Sequence, residues 1–279
     1  MTILITGGTG KVGGRLAQLL HSAGHRVLIA SRTGKPTTPF AVVTFDFLDH
    51  GSFVNPFKQD PDIDRVFLVV PDILNTLPHY KPFIDMAISK GVKRFVLLTS
   101  TQAHPGSPGQ GVVHQCLLDA KVDYAVLRPT WFMQNFGTDF KDSIRDSNEI
   151  VSAAGDGRIP FISNEDIAQA AFDTLVSEAS PNRDYYLVGP ELYSYDEAVA
   201  LLSSVLGRTI IHRRSTVEEQ EEVYKQFLSP EMAKVLAAME GLAAEGKEEA
   251  FFYEPEHRKY PAKHTLGQYF KDNAHLWAI

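Results

Sequence analysis

The stretch with the clearest chemical meaning is Thr6-Gly7-Gly8-Thr9-Gly10-Lys11-Val12-Gly13, which follows one apolar run and opens an amphipathic one. Gly8, Gly10 and Gly13 fit the spacing G-x-G-x-x-G. Between a strand and a helix, such small residues let the backbone turn sharply and approach a pyrophosphate at the positive helix end. Gly7, Thr9, Gly10, Lys11, Val12 and Gly13 are therefore expected to cradle a dinucleotide, with Gly13 letting the helix pack closely. A phosphate-binding P-loop is excluded, because no Gly-Lys-Ser/Thr follows at the required spacing.

Cofactor choice is set about twenty residues further on, where an Asp or Glu ending the second strand holds both ribose hydroxyls of NAD. Here Ser31 and Arg32 take that place, with Lys35 close behind. A carboxylate would repel a ribose 2′-phosphate, whereas guanidinium and hydroxyl groups bind it, so NADPH is the expected cofactor. Asp46, ending the third apolar run, is expected at the adenine edge. Val70, Pro71, Thr99 and Pro129, at later strand ends, complete the expected cradle.

What is missing narrows the chemistry. Ketone reduction on such a sheet commonly uses a Tyr-x-x-x-Lys pair, the Lys lowering the pKa of a proton-donating Tyr. None of the ten tyrosines has a Lys four residues later. Ser100 and Thr101 end the fifth apolar run and could hydrogen-bond a substrate. His114 is the titratable group that the topology is expected to bring toward the strand ends, as a proton relay or orienting group, against the plainer reading of a packing residue. Two readings compete. Either the chain binds NADPH and does no chemistry, as a redox-sensing regulator, or its reaction needs no strong acid. Hydride transfer to an iminium carbon fits the second, since the nitrogen is already cationic. Quinone or enone reduction is intermediate, because water can supply the proton. A scaffold that steers a cyclisation is a further alternative. Cys116 has no base paired with it in sequence and reads as a small packing side chain.

These residues need a frame. Near-continuous apolar runs at 2–6, 26–31, 41–46, 65–70, 94–100 and 124–129 alternate with helical patterns at 12–23, 79–90 and 110–120. That rhythm predicts a Rossmann-type α/β fold, a doubly wound parallel sheet whose strand ends share one ligand-binding edge. Residues 1–150 are expected to form this core, and 151–279 a smaller, mainly helical lobe interleaved with it. Within the lobe, 157–163 and 184–190 read as strands, 164–176 as a helix capped by Asn164, and 194–247 as mostly helical. At 279 residues and 44% hydrophobic the chain can bury a sizeable core. A net charge of -7 argues against nucleic acid and acidic membranes as partners. One cysteine excludes an internal disulfide and a Cys-based metal site, and no metal is expected. No apolar run reaches the ~18 residues of a membrane span, and the first residues lack a charged leader, so a cytoplasmic location is expected.

Several stretches together resemble the NmrA-like atypical short-chain dehydrogenases: "TGGTGKVG", "KRFVLLTS" (93–100) and above all "LRPTWFMQNF" (127–136). Within that family the chain is similar to the fungal ergot-alkaloid reductases, the festuclavine synthase and agroclavine dehydrogenase group. "GDGRIPFISNEDIAQAAF" (155–172) and "GPELYSYDEAVALLSSVLGR" (189–208) extend the likeness. The resemblance implies an NADPH-dependent oxidoreductase of alkaloid biosynthesis that reduces an iminium formed from an amine and an aldehyde. It implies that Trp131, Phe132, Met133 and Asn135 line the pocket beside the nicotinamide, and it matches His114 to a Gly-x-x-His pattern from Gly111. The likeness weakens at 137–150 and in the last thirty residues.

Overall fold

The computed structural model describes residues 1–69 and 73–278. In chain order the strands and helices are β1 (Thr2–Thr6), α1 (Lys11–Ser22), β2 (Arg26–Ser31), β3 (Ala41–Thr44), α2 (Asn55–Gln59), β4 (Ile63–Val69), α3 (Leu77–Ser89), β5 (Arg94–Leu98), α4 (Gln110–Ala120) and β6 (Asp123–Pro129). Then come β7 (Glu149–Ser152), α5 (Asn164–Val176), β8 (Arg183–Leu187), α6 (Tyr195–Leu206) and β9 (Ile211–Arg214). The last are α7 (Val217–Tyr224), α8 (Pro230–Ala244), α9 (Lys247–Phe252), β10 (Lys259–Tyr260) and α10 (Leu266–Asp272).

Eight strands form one parallel sheet in the order β10-β8-β6-β5-β4-β1-β2-β3. The reversal at β1 is that of a Rossmann-type sheet. Every residue of β1 and β5 is buried, as expected of central strands covered on both faces. Helix α1 turns Val12, Leu16, Ala17 and Leu20 inward at helical spacing.

The chain divides into two compact units, Met1–Arg128 with Ile167–Tyr185, and Pro129–Asp166 with Tyr186–Ile279. The division expected at 150 therefore falls after Arg128, and 167–185 returns to the first unit because α5 and the start of β8 complete its layers. In the first unit the core is ring-rich: Phe47 stacks on Tyr80 at 4.0 Å, and Phe45, Phe53 and Phe83 pack around them. In the second, Phe136, Phe161, Tyr195, Phe270 and Trp277 form the centre, and the Trp277 indole donates to Phe136 O at 2.9 Å.

Three expectations need correction. The third strand stops at Thr44, because the Ser52 hydroxyl accepts from Asp46 N (2.9 Å) and donates to Asp46 O (3.0 Å), taking both groups out of any ladder. Residues 157–163 make isolated bridges, Ile159 with Tyr193 and Phe132 with Ile162, and no strand. Pro160 lacks the N–H that a continuous ladder needs. Asn164 is the first residue of α5 itself, and it is the Ser163 hydroxyl that accepts from Glu165 N at 3.2 Å.

Candidate active site

The glycine turn is a set of close approaches. Gly7 has φ +67°, a left-handed conformation that favours glycine, and its carbonyl accepts from Gly10 N at 2.9 Å. A Cβ on Gly13 would stand 2.3 Å from that same carbonyl oxygen, and one on Gly8 would stand 2.7 Å from the Ile29 side chain. The sequence reading gave Gly13 the packing of helix on sheet; its nearest neighbour is the turn itself. Thr6 steadies the strand tip, donating to Phe67 O at 3.1 Å and accepting from Val69 N at 2.8 Å. Helix α1 starts on Gly10 without a capping side chain and without an acid in its first turn. Its amino end therefore keeps the partial positive charge that attracts phosphate.

Beside the turn lies a cleft of about 520 Å³, bounded by Gly7 and Thr9 on one side and by Ser31, Arg32, Thr33 and Asp46 on the other. Arg32 is exposed and has no ion pair among the described residues. The Ser31 and Thr33 hydroxyls stand 3.3 Å apart beside it. Two hydroxyls around an uncompensated guanidinium are a donor set for a phosphate dianion. Asp46 spends one carboxylate oxygen on Leu48 N, at 2.9 Å, which shapes the cleft wall at Phe47 and Leu48.

Other expected cradle residues are placed less directly. Lys35 is exposed but lies outside the cleft lining; its backbone N–H turns back to the Thr33 hydroxyl at 3.4 Å. Lys11 is exposed at the helix start, while Val12 is buried beneath it. Thr99 is buried and its hydroxyl donates to Leu127 O at 3.1 Å, while Ser100 beyond it is half-buried. Pro129 closes β6 and is buried. Val70 and Pro71 lie outside the described residues. Thr33 and Leu48 line the cleft although the sequence reading passed over them; the run Ser31-Arg32-Thr33 held the signal for Thr33.

His114 is not at a strand end. It belongs to the inward stripe of α4, only 3% exposed, with its ring 6.1 Å from that of Tyr124 near the start of β6. Its Nδ1 has no hydrogen-bond partner among the described residues. Burial holds the imidazole below its ordinary pKa, with Asp184 opposing and Arg128 adding to the effect.

An unanticipated cluster does reach the strand ends. The Arg128 side chain, 2% exposed, donates from Nη1 to Asp184 Oδ2 at 2.8 Å and from Nη2 to Thr101 O at 2.6 Å. Nη2 also stands 3.0 Å from His104 Nδ1. Burial pushes the Asp184 carboxyl up, but the Arg128 guanidinium outweighs it and holds that carboxyl below its ordinary pKa.

In the second unit, Met133 and Phe136 are core residues, whereas Trp131, Phe132 and Asn135 are half-buried. Trp131 packs on the edge of the aromatic cluster, and its Nε1 is buried without a partner among the described residues. This unit also holds a Ser-His-Asp arrangement: Ser152 Oγ lies 2.9 Å from His212 Nε2, and His212 Nδ1 lies 3.0 Å from Asp196. Ser152 and the His212 ring are fully buried, so no substrate reaches the hydroxyl and the set is structural. Among the described residues no cluster could hold a metal, and no helix is long and apolar enough to cross a membrane.

Comparison with known proteins shows the family and the fold. The chain is 39% identical to agroclavine dehydrogenase of Claviceps fusiformis, over 100% of this chain and 99% of that one. It is 37% identical to festuclavine synthase II of Penicillium roqueforti over the whole of both. In fold it matches the Citrobacter sp. triphenylmethane reductase complexed with NADP(H), with a TM-score of 0.76 at 20% identity, covering 98% of this chain and 100% of that one. The model of the NmrA-like family matches residues 1–270, and the chain belongs to that family.

Proposed function

We propose that the chain is an NADPH-dependent reductase that delivers hydride to an iminium, imine or similarly activated double bond of a bulky, alkaloid-like metabolite. The observation that carries the reading is Arg32, an exposed cation beside the cleft with two hydroxyls around it and no carboxylate partner among the described residues. The residues fit the cofactor: a pyrophosphate would be held at the amino end of α1, beside the turn that Gly7, Gly10 and Gly13 allow to close, and a 2′-phosphate by Ser31, Arg32 and Thr33. When bound, the nicotinamide supplies the hydride, and the protein supplies position and exclusion of water.

The missing Tyr-x-x-x-Lys pair supports an acceptor that needs no strong acid. An iminium is such an acceptor, because hydride converts it directly to a neutral amine. The names of the two fungal relatives support an alkaloid-like substrate. Ser100 of the first unit and Trp131, Phe132, Met133 and Asn135 of the second are proposed substrate contacts, Met133 from the core of the second unit. His114, buried with its ring beside Tyr124, is not among the proposed contacts.

The test is consumption of NADPH with a preformed cyclic iminium salt. Turnover with NADPH and little with NADH is the expected result. Binding of NADPH without oxidation by any iminium, imine or quinone would point instead to a sensor of the cofactor.

A further inference from the structure

We infer that Gln134 is a positioning residue: it fixes the loop that carries Trp131 and Phe132, and so sets a preference for bulky over small acceptors. This rests on the reductase reading, in which those two rings meet the substrate, and names the side chain that holds them.

The loop after β6 is tied down at both ends, within the second unit. At its start Thr130 N donates to Leu187 O at 3.0 Å, and the Thr130 hydroxyl donates to the buried Glu248 carboxylate at 2.8 Å. At its far end Phe136 O accepts from the Trp277 indole at 2.9 Å. Between them Ile162 N donates to Trp131 O and Met133 N donates to Ile162 O, each at 2.9 Å. Met133 turns into the core, whereas Trp131 and Phe132 stay half-buried.

Gln134 holds the span that these bonds leave. Its Oε1 accepts from Asn164 N at 2.9 Å, and its Nε2 donates to the Ser163 hydroxyl at 3.4 Å. A backbone N–H only donates, so the end of the amide facing Asn164 is the oxygen. Asn164 opens α5, and the first N–H groups of a helix have no partner within it. The Ser163 hydroxyl also accepts from Glu165 N at 3.2 Å, and Gln134 O accepts from the Thr138 hydroxyl at 3.0 Å. Gln134 is therefore gripped through its backbone and through both ends of its amide. Two bonds to one planar amide fix its orientation as well as its distance, and Phe132 lies only two residues earlier.

Rings so held give binding energy to a substrate large enough to reach them, and that energy serves orientation at the reacting carbon. A single-ring acceptor makes few such contacts and depends little on the loop.

Two measurements test this. The first is amide hydrogen exchange at Asn164 in the unaltered protein and in Gln134→Met, which keeps the length of the side chain and removes both of its bonds. Protection in the former and its loss in the latter are expected. Equal exchange in the two, or no protection in the unaltered protein, overturns the anchor. The second is kcat/KM with NADPH for a fused three-ring iminium salt against an N-methyl pyrrolinium salt. Gln134→Met should lower the large-to-small ratio at least about tenfold. The Kd for NADPH should stay unchanged, since the described residues lining its cleft all belong to the first unit. Gln134→Glu should keep the unaltered ratio, because a carboxylate accepts from Asn164 N and from the Ser163 hydroxyl alike. An equal loss on both probes, no loss on either, or a fallen ratio in Gln134→Glu overturns the role in specificity. If the unaltered protein turns over neither probe, the reductase reading fails and the preference with it, while the anchor is decided by the exchange measurement alone.

Discussion

A Cβ on Gly13 would come within 2.3 Å of the carbonyl oxygen of Gly7, which the turn also uses to bond Gly10 N at 2.9 Å. Gly13→Ala must push that carbonyl away, and the turn with it. Overpacking of this kind costs about 1–3 kcal/mol. The variant should melt at a lower temperature and bind NADPH at least about tenfold more weakly, as read by fluorescence titration; native affinity with native stability would refute a close-packed turn.

Arg32→Ala should raise the Kd for NADPH about 10–100-fold, the value of one or two hydrogen bonds to a charged group. The Kd for NADH should hardly move. Arg32→Asp should invert the preference. A parallel loss of both cofactors in isothermal titration would show that the cation does not meet the 2′-phosphate.

Glu240 gives a pH signature. Its carboxyl is buried in the second unit, accepting from Ala153 N at 2.5 Å and from the Tyr224 hydroxyl. Burial pushes its pKa up to about 7, against the opposing effect of those two donors. Because the folded pKa lies above the unfolded one, the folded state binds the extra proton between roughly pH 4.5 and 7. The stabilisation is complete below that window and is lost as pH rises through it, on the order of 3 kcal/mol. Denaturant melts from acidic to mildly alkaline pH should show this loss, and Glu240→Gln should flatten it. An unchanged slope in the variant would assign the dependence elsewhere.

His114→Leu removes an imidazole whose Nδ1 has no partner among the described residues. An apolar side chain of similar size suits that place. Stability should hold or rise, by up to about 1–2 kcal/mol, and kcat with an iminium salt should stay within about threefold, since a general acid or base contributes 10²–10⁴-fold. A loss of a hundredfold or more would make the residue a proton relay despite its burial.

How much of this was legible in the sequence depends on the distance over which each feature is built. Strands β1 and β2 and helix α4 match their expected bounds, because their signals are local: apolar runs and a glycine turn. The place of Arg32, directly after β2, was readable for the same reason. The pair β7 and β9 was missed, because both are four-residue strands whose residues are largely polar or exposed. The Arg128 cluster could not be seen either. Its partners His104 and Asp184 lie 24 and 56 residues away, and only the folded sheet makes them neighbours. His114 misled because a titratable residue on the right helix says nothing about which side of that helix it occupies.

Ser31 O accepts from both Phe45 N (3.0 Å) and Gly34 N (3.3 Å), so the backbone that presents Arg32 is held by main-chain bonds that do not involve the Arg32 side chain. The Arg32 side chain is exposed and adds nothing to the core. A substitution there can retune the charge offered to a ligand at almost no folding cost. The residue proposed to set coenzyme preference is thus among the easiest in the chain to vary, and on that proposal single substitutions in lineages sharing this scaffold would move it between the two coenzymes.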